Sequence, residues 1–183
     1  AFTFLNALLN EYLRLKNSRQ PEYIYHGVAP EAEYEDSFVA FGNSRISPKK
    51  IKKVNSPFSF EKIDRSVPLS FTTFRLDIRE MKKLAKSYQC TLNELVLVMV
   101  YSAIFNIESS DGKDVVIAVP INLRNKFRSK SLRNFFHLAK INLRKKAGEN
   151  STADMITEIR RQLHMQNNKE YLHKAISQLA RVQ

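Results

Sequence analysis

Asp114–Phe136 reads DVVIAVPINLRNKFRSKSLRNFF, and the fold turns on this stretch. Val115 to Pro120 is a short apolar run of strand length, bounded before it by the turn signal Ser109–Gly112. A basic loop follows, and a second extended run opens near Leu132. Two polar side chains stand against these apolar flanks: Arg124 at the exit of the first strand and Asn134 at the entry of the second. A guanidinium or an amide beside a buried strand needs partners, because leaving it unpaired costs about 1–3 kcal/mol or more. Bonding to nearby backbone, as residues that stitch the fold, is their plain role.

Working outward, Phe135 to Leu143 reads as a further strand. Thr91-x-x-Glu94 is a capping box for a helix from Leu92 to about Phe105, apolar on nearly every side and therefore expected to be buried on most of them. Asp77-x-x-Glu80 is a second capping box, opening a helix to about Ser87. Ser70 to Leu76 alternates as a strand. Beyond the second strand, Ser151-x-x-Asp154 starts a helix with Ile156, Ile159 and Leu163 inward, Asn167 and Asn168 break it, and Tyr171, Leu172, Ile176 and Leu179 mark a last helix. At the other end, Phe4, Leu5, Leu8, Leu9, Tyr12 and Leu13 fall on one helical face to about Lys16. That pattern starts at residue 1 with neither cap nor initiator Met, which is expected of a piece of a longer polypeptide. The order predicts an α/β protein, a mixed sheet with flanking helices.

Residues 21–68 read as a connecting strap. An acidic segment (Glu22, Glu31, Glu33, Glu35, Asp36) precedes a basic one around Pro48, with Arg45, Lys49, Lys50, Lys52 and Lys53. Either the two segments pair, or the lysines form a lip over something anionic; the plain alternative is a solvated linker.

Thirty Lys and Arg against 18 acids give a net charge of +12, which suits nucleic acid, an anionic membrane or a phosphate-bearing small molecule without choosing among them. A hydrophobic share of 43% argues against general disorder. The single Cys90 excludes an internal disulfide framework and fits a reducing cytoplasm. No apolar run approaches the roughly 18 residues of a membrane span.

Self-contained catalysis is not visible. Four glycines build no phosphate loop, and there is no G-x-S-x-G. His26, His137, His164 and His173 lack the nucleophile, acid or third ligand that catalysis or zinc binding would need nearby, so no metal site is expected. Cys90, just before a helix start, has a place where its pKa could fall, although an inert thiol is the plainer reading.

TLNELVLVMVYSAIF, VVIAVPINLR and SLRNFF together resemble the C-terminal half of the CoA-dependent acyltransferase superfamily, the fold group of chloramphenicol acetyltransferase and of peptide-synthetase condensation domains. Arg124 matches the family's strand-exit Arg and Asn134 its Asn; Arg133 stands where Gly is common. YEDSF at Tyr34–Phe38 and the lysine-rich strap are similar to the bacterial alcohol-acetyltransferase-like branch. The resemblance, over about residues 1–16 and 68–165, implies three parts: a helix of an N-terminal lobe at 1–20, a crossover strap at 21–68, and an incomplete C-terminal lobe at 69–183. It implies that the chain begins just after the family's H-H-x-x-x-D-G motif, whose His is the general base, so that no residue here is catalytic and the piece is inactive alone. Acyl-CoA is then the co-substrate, used with a small-molecule hydroxyl or amine acceptor. Arg124 and Asn134 would shape the tunnel wall, and Lys49, Lys50, Lys52 and Lys53 would reach CoA phosphates. The missing lobe would be a partner, and a homodimer or a swap of the first helix is expected. The rival reading is a non-catalytic basic binding module for nucleic acid or a protein. Nucleic acid is disfavoured because the positive charge is scattered, with no recognition-helix or RNP-like pattern.

Overall fold

The computed structural model describes residues 2–17, 30–42, 57–60, 72–107, 110–145 and 151–180. These form helices α1 (Phe2–Asn17), α2 (Pro30–Tyr34), α3 (Ser37–Phe41), α4 (Ile78–Ser87) and α5 (Leu92–Phe105), then strand β1 (Asp114–Asn122) and helix α6 (Arg124–Phe127). Strand β2 (Phe136–Arg144) and helices α7 (Thr152–Gln166) and α8 (Lys169–Leu179) complete the order. Among the described residues the architecture is mixed α/β, with β1 and β2 paired antiparallel.

The chain divides into two compact units. One takes residues 48–121 and 138–172. Its core forms where α5 and α7 meet the sheet: Leu97, Tyr101 and Phe105 from α5, Val115 from β1, Ala139 and Ile141 from β2, and Ile156 and Ile159 from α7. Residues alternate across a strand, so Ala139, Ile141 and Leu143 are buried while Leu138 and Lys140 on the opposite face are exposed. The free edge of β1 meets Phe58, whose N–H donates to the Asp114 carbonyl at 2.8 Å.

Local capping explains the helix starts. Asp77 accepts from the Arg79 and Glu80 N–H groups at the head of α4. Thr91 and Glu94 form the full reciprocal box at α5, and Ser151 accepts from the Asp154 N–H at α7. The Glu80 carboxylate goes to Lys83 at 2.8 Å, so at α4 the structure shows the Asp77 cap alone.

The other unit takes residues 1–47, 122–137 and 173–183. It is built on an aromatic cluster. Phe135, fully buried, meets Phe38 edge-on at 5.1 Å and stacks on Phe41 at 5.9 Å, and Phe127 packs beside both Phe41 and Phe135. On α1 the apolar Leu8, Leu9, Tyr12 and Leu13 are exposed.

Two sequence expectations are corrected. Residues 72–76, expected as the body of a strand, are not one: every side chain from Thr72 to Leu76 is exposed on either parity, and an alternating pattern makes a strand only where a neighbour takes its hydrogen bonds. Residues 30–41, expected to be connection, hold α2 and α3; Asp36 caps α3 by accepting from the Phe38 N–H at 2.9 Å. Helix α5 is buried on most of its sides, as expected, and Val96, Met99 and Val100 lie on the one stripe that is exposed. No single helix among the described residues is long and apolar enough to cross a membrane.

Candidate functional site

The loop between β1 and β2 is held from inside by Arg124. Its Nε donates to the Ser131 carbonyl at 2.9 Å, and its Nη2 donates to the Arg133 carbonyl. The planar fork of a guanidinium spans two carbonyls in a way that an ammonium does not. The Asn122 side chain accepts from the Arg124 N–H at 3.1 Å, and the Leu123 N–H closes the loop onto the Phe135 carbonyl. Arg124 therefore does what the plain sequence reading gave it, stitching backbone. Asn134 does not share that work; it is exposed, with no hydrogen-bond partner among the described residues.

The same loop is fastened to the segment around α2 and α3. Buried Ser131 donates its hydroxyl to the Glu35 carbonyl at 2.6 Å, and its Oγ accepts from the Arg133 N–H. The Leu132 N–H donates to the Glu33 carbonyl at 2.8 Å, the Ser37 and Ser129 hydroxyls share a hydrogen bond of 2.6 Å, and Arg133 lies 3.7 Å from the Asp36 carboxylate. Two stretches singled out in the sequence, Tyr34–Phe38 and Arg124–Asn134, thus meet. Lys49, Lys50, Lys52, Lys53 and His26 lie outside the described residues.

The second feature belongs to the other compact unit. An open cleft of about 900 Å³ is lined by Lys82, Lys86, Gln89, Cys90, Glu94 and Arg160, among others. The turn that shapes it is a Schellman motif at the end of α4: the Cys90 N–H donates to the Ala85 carbonyl and the Gln89 N–H to the Lys86 carbonyl. Gln89 sits there with φ +50°, the left-handed position that usually falls to Gly. Arg160 of α7 then locks turn and cap together, donating to both Glu94 oxygens at 3.0 and 3.1 Å and to the Gln89 carbonyl at 2.7 Å.

The electrostatics of the cleft follow. Burial pushes the Glu94 carboxyl up, but the bonds from Arg160 and Thr91 outweigh it, and the group lies below its ordinary value. Burial, then the Glu94 charge, pushes the Cys90 thiol up. A lowered Cys90 pKa, one of the two readings of its place before a helix, is thereby corrected: the Glu94 carboxylate caps the helix start, and burial together with that charge outweighs the pull of Arg160. The cleft offers cations, Lys82 and Lys86 on α4 with Arg160, but neither an activated nucleophile nor a free base.

His137, on β2, is half-buried, and burial holds its imidazole below the ordinary value. His173 packs against the Phe127 ring at 6.3 Å, and His164 is exposed on α7. Among the described residues, no three His, Cys, Asp or Glu side chains gather as metal ligands. Sequence reasoning missed Arg160, Ser131 and the Ser37–Ser129 pair. Their partners lie 66 to 98 residues away, beyond any local spacing rule.

No protein-family model, no curated protein and no solved structure matches the chain.

Proposed function

We propose that this chain is part of an acyltransferase that moves an acyl group from acyl-CoA, or from a carrier thioester, to a hydroxyl or amine acceptor. The observation that carries this reading is the meeting of Tyr34–Phe38 with the Arg124 loop, because both are among the stretches that carry the resemblance and one network of hydrogen bonds joins them. The succession of capped helix, strand, arginine-held loop and strand supports it further.

In this reading Arg124 shapes a wall and takes no part in the chemistry. The reaction needs a base to take the acceptor's proton as the new acyl bond forms and the C–S bond breaks, with the departing thiolate taking a proton in turn. The 183 residues contain no H-H-x-x-x-D-G, so that base would come from sequence outside them. The chain's own cations, +12 in net charge, suit the phosphates of CoA.

The experiment is to read the natural frame around this sequence for that motif and to assay the longer protein for thiol release from acyl-CoA with alcohol and amine acceptors. Turnover that falls by about 10²–10⁴-fold when the motif His becomes Ala is the expected result. Absence of the motif, with no thiol release from any acyl-CoA, rejects the proposal. Binding to random oligonucleotides that weakens steeply with salt would then favour the basic binding module.

A further inference from the structure

The outer edge of β2 is bonded by side chains rather than by a strand. The Lys140 N–H donates to Gln166 Oε1 at 2.9 Å, and its carbonyl accepts from Gln166 Nε2 at 2.8 Å. Two residues on, the Asn142 N–H donates to Gln162 Oε1 at 2.8 Å, and its carbonyl accepts from Gln162 Nε2 at 2.7 Å. A primary amide carries one carbonyl and an NH₂ group, so each glutamine presents to the edge what a peptide unit of a neighbouring strand would. The spacing fits as well. Four residues of helix rise about 6.0 Å, close to the roughly 6.7 Å of two strand residues. Both glutamines are buried, at 8% and 6% exposure, and Glu158 accepts the second N–H of Gln162 at 2.7 Å, which fixes the orientation of that amide.

Glutamine has a long, mobile side chain, and burying two of them is costly unless every polar atom is bonded. Their four bonds fall on the groups that make an edge strand sticky. We propose that Gln162 and Gln166 guard the outer edge of β2 against strand addition, and that the occupant they exclude is the same edge of a second copy of this chain. β2 is suited to pair with itself. In an antiparallel register centred on Ile141, Lys140 faces Asn142 and Leu138 faces Arg144, so no two like charges stand directly opposite. Exposed Phe136 and Leu138 add apolar contact on the open face of the sheet. The chain's charge of +12 opposes the association, so added salt strengthens it once the guard is gone.

The test compares the whole chain with its Gln162→Leu/Gln166→Leu variant, in which leucine keeps the helix and its burial. At low concentration, hydrogen exchange at the Lys140 and Asn142 amides should speed up at least tenfold, while the amides of α5 keep their rates. As concentration and salt rise, the mass by light scattering should move from one chain to two, and both amides should regain protection. Should the double variant lose α5 protection as well, the single Gln166→Met variant, which leaves the Gln162 bonds in place, reads the Lys140 amide alone. Unchanged exchange at Lys140, or a variant that stays a single chain across the concentration series, overturns the proposal.

Discussion

The Arg160 guanidinium closes on both oxygens of the Glu94 carboxylate, at 3.0 and 3.1 Å, and ties helix α7 to the capping box of α5. Glu94 is 5% exposed, so its charge depends on this partner and on Thr91. Arg160→Met keeps much of the side-chain bulk and removes the charge; it should lower stability by leaving the buried Glu94 carboxylate without its partner, an effect moderated because half of Arg160 faces water. The pH dependence is specific. A carboxylate held below its ordinary pKa contributes stability above that ordinary value, and the contribution is lost as pH falls through the folded value. The gap between wild type and variant, read from urea midpoints, should therefore be wide at neutral pH and narrow below about pH 4. A gap that stays constant across that range would show that the pair does not hold the cap.

Gln89 accepts the third Arg160 bond through its carbonyl, and its side chain is exposed. A left-handed residue with a Cβ costs roughly 1–2 kcal/mol, and glycine returns about half of any gain as greater freedom in the unfolded chain. Gln89→Gly should raise stability by about 0.5–1 kcal/mol with the Arg160 bond intact. Gln89→Val, β-branched at the same φ, should lower it by more. Thermal melts of the two variants moving in the same direction would contradict this reading.

Tyr101 is fully buried and donates its hydroxyl to the Ile141 carbonyl at 2.7 Å, joining α5 to β2 across the core. Tyr101→Phe should cost about 1–2 kcal/mol, since a buried acceptor loses its donor. Burial also pushes the phenol well above its ordinary value. A group whose folded pKa is raised contributes stability that is complete below its unfolded pKa, near 10, and is lost as pH rises beyond it. Ultraviolet difference titration should show a phenol step that comes only with alkaline unfolding, and in the Phe variant that step should shrink by one phenol.

How much of this could be read beforehand depends on how far apart the partners lie. The caps of α4, α5 and α7 are legible because Asp77, Thr91 and Ser151 bond backbone two or three residues on. β1 and β2 are legible because their apolar runs end at turn residues. Thr72–Leu76 misled, because alternation describes a strand only if an edge is there to receive it. Asp36 before Ser37 was a cap signal for α3, hidden by its acidic surroundings. The Arg160 clamp and the glutamine edge pair residues 20 to 71 positions apart, and nothing in the spacing of single side chains marks such pairs.

Arg124 offers a test of charge against shape. Arg124→Lys keeps the charge, but a single ammonium does not span the Ser131 and Arg133 carbonyls as the fork does. It should destabilise nearly as much as Arg124→Ala, by about 1–3 kcal/mol, with faster amide exchange confined to the loop and the Glu33–Ser37 segment. Full retention of stability by the lysine variant would mean that only the charge matters there.

Gly42 ends α3 with φ −76°, which any residue adopts, so its small size answers to space rather than backbone conformation. A Cβ added there would lie 2.5 Å from the Phe38 carbonyl oxygen and 2.8 Å from the Ala180 Cβ. One obstacle is a side-chain atom and the other is backbone, so they can be separated. Gly42→Ala should cost about 1–3 kcal/mol, the usual range for overpacking. Ala180→Gly on top of it removes one contact and should recover part of the loss, while the backbone oxygen keeps the rest. In a double-mutant cycle the coupling should therefore be favourable and smaller than the cost of Gly42→Ala alone. Complete recovery would show that the Phe38 carbonyl shifts freely, and zero coupling would show that Ala180 is not what confines Gly42.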